Sequence, residues 1–450
     1  MAQPPDYEAI AAGFSQRIRS MGWRDPRLKD IVTELRGILF PIPKNYAEMP
    51  RRWDWCAMSY TDLLMRLGRF NEAEAFLFPL VSETGCLDWS CKAHGTYATS
   101  LNKQKKYPAT INWLKPRLVD EQLLAKDKYA HIVYGTALIN SRQAVEAIKF
   151  LEPLVAPGGL LEHDPYGYTV LADAYNKNGE PEKAVALIKP LLAPGGILEK
   201  DPVSHSTHAF SLILAGRPEE AIAALEPFMF PHLSTRTADE FAEFNLGHDP
   251  ATNTILANAY TSSGQPEKAI ALLEKAVESG GFLRNSAQSH TQYAKALSAA
   301  GKKYKAMEWL RHRVAKRGIL ANNSVGHRLF AELCIEDNRL AEARESLDGL
   351  PPWYRDSGAY FTMARVEICS HRIGKAMGFL VDAAHLARDA GELIPCFALM
   401  TLADEKHNAV AMASRVLTEQ EKMRAATLVE CWRSDPRKIA YPIGLNIKYE

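Results

Sequence analysis

The residues with the clearest chemical potential form a column. His94, His131, His205, His290 and His327 fall at one phase of a recurring pattern, and Tyr168 and Asn253 fill its remaining places. Imidazole ligates metals and titrates near neutral pH, so such a register invites a metal centre or a proton relay. Distance argues otherwise. Packed helices lie ~8–10 Å apart, whereas two nitrogens on one zinc, with bonds of ~2.0–2.1 Å, stand ~3.3 Å apart. No cysteine or carboxylate is spaced to complete a site, so the column reads as flat packing groups. Cys86 and Cys91 do not have a usual zinc spacing, and no CxxC accompanies them. HExxH, GxSxG and a phosphate-cradling glycine loop are absent from the sequence. No catalytic residue, metal or cofactor is expected.

The elements that must carry these residues are helix–turn–helix units, clearest from Asp164 to Asp201. Asp164-Pro165 reads as a helix start, since Asp caps free N–H groups and Pro fits the first helical position. Tyr168, Leu171, Ala172 and Tyr175 recur at helical spacing and give the first helix one apolar stripe. Asn178-Gly179 stops it, and Glu180-Pro181-Glu182 opens a second helix with the stripe Ala184, Val185, Leu187, Ile188, Leu191, Leu192. Gly195-Gly196-Ile197-Leu198 closes that helix with glycine and a hydrophobic contact; Gly158-Gly159 and Gly280-Gly281 are ends of the same kind.

The unit repeats. Ala73, Thr110, Ala147, Ala184 and Ala221 are each 37 residues apart, as are Ala269, Ala306 and Ala343 after one step of 48. Ala376 marks a further unit, and a degenerate one falls near Ala409. Cap residues keep step: Ser90, Asp127, Asp164, Asp201, Asp249, Ser286, Asn323. The run Leu256-Ala257-x-x-Tyr260-x-x-x-Gly264-x-x-x-x-Ala269-x-x-x-Leu273-x-x-Ala276 resembles a tetratricopeptide repeat, and Leu171 to Leu191 matches nearly as well. The resemblance covers about residues 53–420. It implies an all-α, right-handed solenoid of about nine to ten stacked units. Two departures stand out. The step is 37 residues against about 34 in the usual repeat. Proline also sits inside the second helix at Pro79, Pro116, Pro153, Pro190 and Pro227, where it should bend that helix.

Around this array, residues 1–52 read as a helical N-terminal cap, with a binding or regulatory segment as the alternative. Residues 421–450 read as a C-terminal tail. The step of 48 places an insertion of 11 residues near 228–248, rich in Phe228, Phe230, Phe241 and Phe244. Insertions in repeat arrays map to loops, often on a binding face; burial in a local extra helix is the equal alternative. Lys plus Arg is 54 against 53 for Asp plus Glu, a net charge of +1, which argues against a polyanion as main partner. The 7 scattered cysteines suit a reducing compartment, and the N-terminal residues lack the basic-then-apolar pattern of a secretory signal. With no stretch of ~18 apolar residues, no membrane span is expected. A cytoplasmic location follows as the expectation.

Tetratricopeptide proteins usually bind extended peptides in a concave groove lined by their first helices. On that resemblance, the groove positions here are Trp55, Asp62, Arg66, Asn102, Tyr129, Tyr166, Asp173, Asn176, Asn258, Lys295 and Arg328. Hydroxyls, amides, both signs of charge and aromatics suit peptide recognition. The expected function is a non-enzymatic scaffold for a protein or peptide partner. Two alternatives stand: an enzyme or catalytic accessory with a pocket at the groove and insertion, and an RNA-binding helical repeat.

Overall fold

A computed structural model of the chain describes residues 6–19, 21, 27–230, 246–247, 249–278, 280–387, 390–404, 410, 414–434 and 439. Among the described residues all regular structure is helical. The chain forms two compact units, residues 1–180 and 181–450. The first unit contains α1 (Tyr7–Arg19), α2 (Leu28–Leu39), α3 (Trp53–Arg66), α4 (Phe70–Val81), α5 (Cys91–Lys103), α6 (Tyr107–Leu114), α7 (Lys128–Asn140), α8 (Ala144–Val155) and α9 (Pro165–Lys177). The second begins with α10 (Pro181–Ile188), α11 (Pro202–Leu214), α12 (Pro218–Met229), α13 (Pro250–Ser262), α14 (Pro266–Val277) and α15 (Ala287–Ala299). It continues with α16 (Lys303–Val314), α17 (Ser324–Glu336), α18 (Leu340–Gly349), α19 (Ser357–Cys369), α20 (Ile373–Leu386), α21 (Ala390–Asp404) and α22 (Glu419–Ser434).

The 37-residue register is written into local chemistry. Ser90, Asp127, Asp164, Asp201, Asp249, Ser286 and Asn323 each accept a backbone N–H in the first turn of the helix they open. Such a cap is worth about 1 kcal/mol. The marker residues from Ala73 to Ala376, Thr110 included, are completely buried, which lets the paired helices approach closely. Five residues before each marker the chain turns with positive φ. Gly68, Gly179, Gly216, Gly264 and Gly301 do so freely, whereas Lys105, Arg142, Asn338 and His371 hold the same conformation with a Cβ. The degenerate unit near Ala409 lies outside the described residues.

The extra length of the repeat sits in the link after each second helix. Leu87, Leu124, Leu161, Leu198, Leu283 and Leu320 are fully buried there, and each donates its N–H to the carbonyl seven residues back, at 2.7 to 3.0 Å. Left-handed backbone falls one glycine earlier than Gly196: Gly195 has φ +80°. Gly196 is required for another reason, since a Cβ there would stand 2.2 Å from the Leu191 carbonyl oxygen. The insertion opens from this same link. Leu246 N–H returns to the Phe228 carbonyl at 3.1 Å, so the register resumes at Leu246. Residues 231–245, with Phe241 and Phe244, lie outside the described residues.

The prolines of the second helices are accommodated in two ways. At Pro116 and Pro190 the α-helix gives way to a 3-10 turn, Lys115–Arg117 and Lys189–Leu192. At Pro79, Pro153 and Pro227 the α-helix continues through its final turn. In the first unit α1 and α2 pack on α3, burying Tyr7, Phe14, Ile31 and Leu35 with Trp53 and Leu63. In the second, α21 and α22 extend the core through Leu399, Leu428 and Trp432. Among the described residues no helix is long and apolar enough to cross a membrane.

Candidate functional site

The histidine column fastens the links. His94, His205, His290 and His327 place Nε2 2.8 to 3.1 Å from the backbone carbonyl six residues earlier. Tyr168 donates its hydroxyl to the equivalent carbonyl of Glu162 at 2.8 Å, and Asn253 its amide to that of Gly247 at 3.0 Å. His131 instead approaches the Asp127 carbonyl through Nδ1 at 2.8 Å. The rings also pack: His94 on Trp113, His131 on Phe150 and His290 on Trp309, stacked at 5.4 to 5.6 Å. Burial lowers the pKa of His94, His290 and His327, which keeps them neutral and suited to these contacts. Flatness alone did not define the column; a side-chain donor did, which is why Tyr and Asn share it with His.

The other candidates lie on the face formed by the first helix of each repeat. In the first unit this face is open and aromatic. Trp55, Tyr129 and Tyr166 occupy one phase of α3, α7 and α9 and are 45%, 49% and 57% exposed. Arg52 lies over the Trp55 ring at 4.1 Å. The Tyr129 hydroxyl meets Thr99 Oγ1 at 2.7 Å, and its ring edge covers Gly95, where a Cβ would stand 2.9 Å from Cδ1. Tyr129 is thus held in place while half its surface faces solvent. Asp62 pairs with Lys92 at 3.6 Å, and Arg66 is exposed on the same helix as Asp62. Asn102 donates to the Val133 carbonyl of the next first helix at 3.1 Å, which ties the two repeats together. A cleft of about 440 Å³ lies among Ala12, Asp54, Trp55, Met58, Ser90 and Lys92. Asp173 is half-buried with its carboxyl raised by burial, and Asn176 is buried.

In the second unit the same face carries a charged, largely buried grouping on α15, α17 and α19. Asn258 on α13 is half-buried. Lys295 on α15, Arg328 and Glu332 on α17 and Arg365 on α19 come together, with Arg328 only 4% exposed. Gly358 makes room for Arg328: a Cβ there would stand 2.3 Å from the guanidinium carbon. Phe228 and Phe230, at the mouth of the insertion, are partly buried against the core, Phe228 beside His205 at 4.3 Å. Several hydroxyls of this face are already engaged: Thr99, Thr136 and Thr254 donate to carbonyls of their own helices at 2.8 to 2.9 Å. Residue type could not reveal that these groups were spent.

Capped helix pairs, small buried markers and a fixed turn define an all-α helical-repeat protein. Its repeats are tetratricopeptide repeats of a 37-residue variant. Tetratricopeptide-repeat profiles match residues 251–279 and 202–227, and a PPR repeat profile matches 166–189. No curated protein sequence matches the chain. Among solved structures it is similar to the human IFIT1 dimer with m7Gppp-AAAA, at 13% identity and a TM-score of 0.47; the match covers 90% of this chain and 96% of that one. A tetratricopeptide repeat protein from Parabacteroides merdae matches at 12% identity and a TM-score of 0.40, covering 57% of this chain and 92% of its own. The Cut9–Hcn1 hetero-tetramer of APC/C matches at 10% identity and a TM-score of 0.40, covering 86% of this chain and 81% of that one.

Proposed function

We propose that the chain is a non-enzymatic scaffold that binds a protein or peptide partner on the first-helix face of its first unit. One observation carries this reading. Trp55, Tyr129 and Tyr166 are large, exposed and in register, and Tyr129 is fixed by Thr99 and Gly95 before any partner arrives. Aromatic anchors lose little rotamer entropy on binding and dominate interface energetics. Beside them, Asp62 and Lys92 offer both signs of charge to a mixed-sequence ligand. The insertion in the second unit is proposed as a further contact region, and a reducing, cytoplasmic setting suits the free cysteines.

The test is a peptide-display selection against the full chain, followed by affinity measurement on the selected peptides. Replacing Trp55 or Tyr129 by Ala should weaken binding by about 5- to 30-fold each, the range of an interface anchor. The melting temperature should stay within about 2 °C, because both rings are half-exposed. Selected peptides that bind the double variant at full affinity place the site elsewhere and end this reading. Single-stranded RNA bound more tightly than any peptide, with a steep salt dependence, supports the nucleic-acid reading instead.

A further inference from the structure

The cleft in the first unit holds a carboxylate that nothing answers. Its walls are α1 at Ala12, the first turns of α3 from Asp54 to Ser59, and the start of α5 at Ser90 and Lys92. Its volume of about 440 Å³ falls within the ~300–1,000 Å³ of ligand sites. Met58, 7% exposed, closes the bottom, while Trp55 and the Lys92 side chain stand open to water at the rim.

The cations beside the cleft already have carboxylates. Arg52 stands 3.8 Å from Glu8, with its guanidinium over the Trp55 ring at 4.1 Å, and Lys92 stands 3.6 Å from Asp62. Arg51 is exposed and is not among the lining residues. Asp54 is half-buried and, among the described residues, has neither an ion pair nor a hydrogen bond. Its place in the first turn of α3 suits a negative charge but gives it no partner. Ser59 Oγ is also unengaged there, whereas Thr61, two residues on, donates to the Ala57 carbonyl at 2.8 Å. The Ser90 hydroxyl is occupied as the cap of α5.

Any occupant of the cleft takes water from the Asp54 carboxylate. A neutral group would leave it desolvated and unpaired, and an acidic one would add like charge; both are costly. We propose that the cleft receives an arginine side chain of the protein or peptide partner, which rests on the scaffold reading above. Both carboxylate oxygens of Asp54 are unengaged, which suits the planar guanidinium fork better than the single point of an ammonium. The apolar stem of arginine lies along Met58 and the exposed part of Trp55, and Ser59 Oγ accepts a further N–H. Trp55 belongs both to the cleft and to the aromatic register with Tyr129. A partner held on that face therefore presents its arginine at the α3 end.

Titration of the full chain with Gly-Ser-X-Ser-Gly amides, X being arginine, citrulline, lysine or glutamate, tests this. Fluorotryptophan labelling gives Trp55 its own fluorine resonance, assigned by its absence from Trp55→Phe. The arginine peptide should shift that resonance saturably. It should bind about fivefold or more tightly than the citrulline peptide, which keeps the shape without the charge. That factor is the upper end for an exposed ion pair, and Asp54 is half-buried. Lysine should fall between the two. In Asp54→Asn the preference for arginine over citrulline should vanish; in Lys92→Met it should hold or grow, since Asp62 then loses its cation. Should Asp54→Asn fail to fold, Lys92→Met and the wild-type preference still decide. No preference for arginine over citrulline, a preference that survives in Asp54→Asn, or tightest binding by the glutamate peptide overturns the proposal. Display-selected peptides separate it from the scaffold reading. If they need Tyr129 yet bind Asp54→Asn at full affinity, this inference alone is removed. If they are indifferent to Trp55 and Tyr129, the scaffold reading falls and this inference with it.

Discussion

Gly95 with Tyr129 and Arg328 with Gly358 occupy the same place in the repeat lattice, one in each unit. In both, a first-turn residue of one first helix meets the start of the next. In the first unit the earlier position is glycine and the later one an aromatic, so the ring lies across the glycine and stays half-exposed. In the second unit the order is reversed: a long cation fills the earlier position, and the later one is glycine to admit it. One lattice site thus yields an apolar platform facing solvent in one case and a buried guanidinium in the other. The scaffold sets where a side chain goes. The pairing of large with small decides whether it faces out or in.

Interfering with the small partner should separate the two cases most strongly. Gly358→Val puts a branched side chain where the Arg328 guanidinium lies, 2.3 Å from the first added carbon. Arg328 must leave a buried site, and overpacking of this kind costs about 2 kcal/mol. Gly95→Ala displaces only the edge of a half-exposed ring, and alanine gains up to about 1 kcal/mol over glycine inside a helix, so stability should hold or rise. Denaturant unfolding of both variants reads this directly. Equal losses would mean that Tyr129 is as tightly packed as Arg328 and that the first unit offers no free platform.

A smaller change sharpens the contrast within the second unit. Glu332→Gln removes the buried carboxylate facing Lys295, Arg328 and Arg365. Stability should fall by about 1 kcal/mol, below the cost of breaking a well-formed buried pair, because the contact with Arg365 is long. A loss of about 3 kcal/mol or more on denaturant unfolding would instead show a well-formed buried pair at this point.

Much of the fold was legible because each repeat states the same rules again. The caps from Ser90 to Asn323, the buried markers and the turn glycines are local signals, and the fixed step multiplies them. What stayed hidden depends on pairs about thirty residues apart. Nothing beside Arg328 announces that Gly358 will admit it, although a glycine where other repeats carry Trp55, Tyr129 or Tyr166 was the available sign. The His column showed its period but not its carbonyl partners. The link glycines showed the turn, yet the left-handed residue was Gly195 and the crowded one Gly196. Asn102 looked like a groove contact, but it bonds the next repeat. The candidate face was therefore readable as a set of positions, while the division between open and occupied ones needed three dimensions.

The smallest expected effect concerns Lys295, whose amine sits at about 8 beside Arg328 and Glu332, below its ordinary value of 10.5. The folded state therefore releases this proton earlier than the unfolded chain. Between about pH 8 and 10.5 the unfolded chain binds more protons at this position, so its contribution to stability rises with pH. Below pH 8 both states hold the proton and the contribution is flat. Cysteines and tyrosines also titrate at high pH, so the measurement is the difference between wild type and Lys295→Met. Methionine keeps the apolar stem without the charge. At pH 7 the variant should be more stable than wild type, by up to about 1 kcal/mol, because the buried ammonium is desolvated beside Arg328 and Glu332 offsets this only in part. By pH 10 that advantage should shrink as wild type loses the same charge. A stability difference independent of pH would show that Lys295 keeps an ordinary amine in contact with water. The second unit would then present a solvated surface at this point, and the contrast with the open aromatic face of the first unit would rest on Arg328 and Gly358 alone.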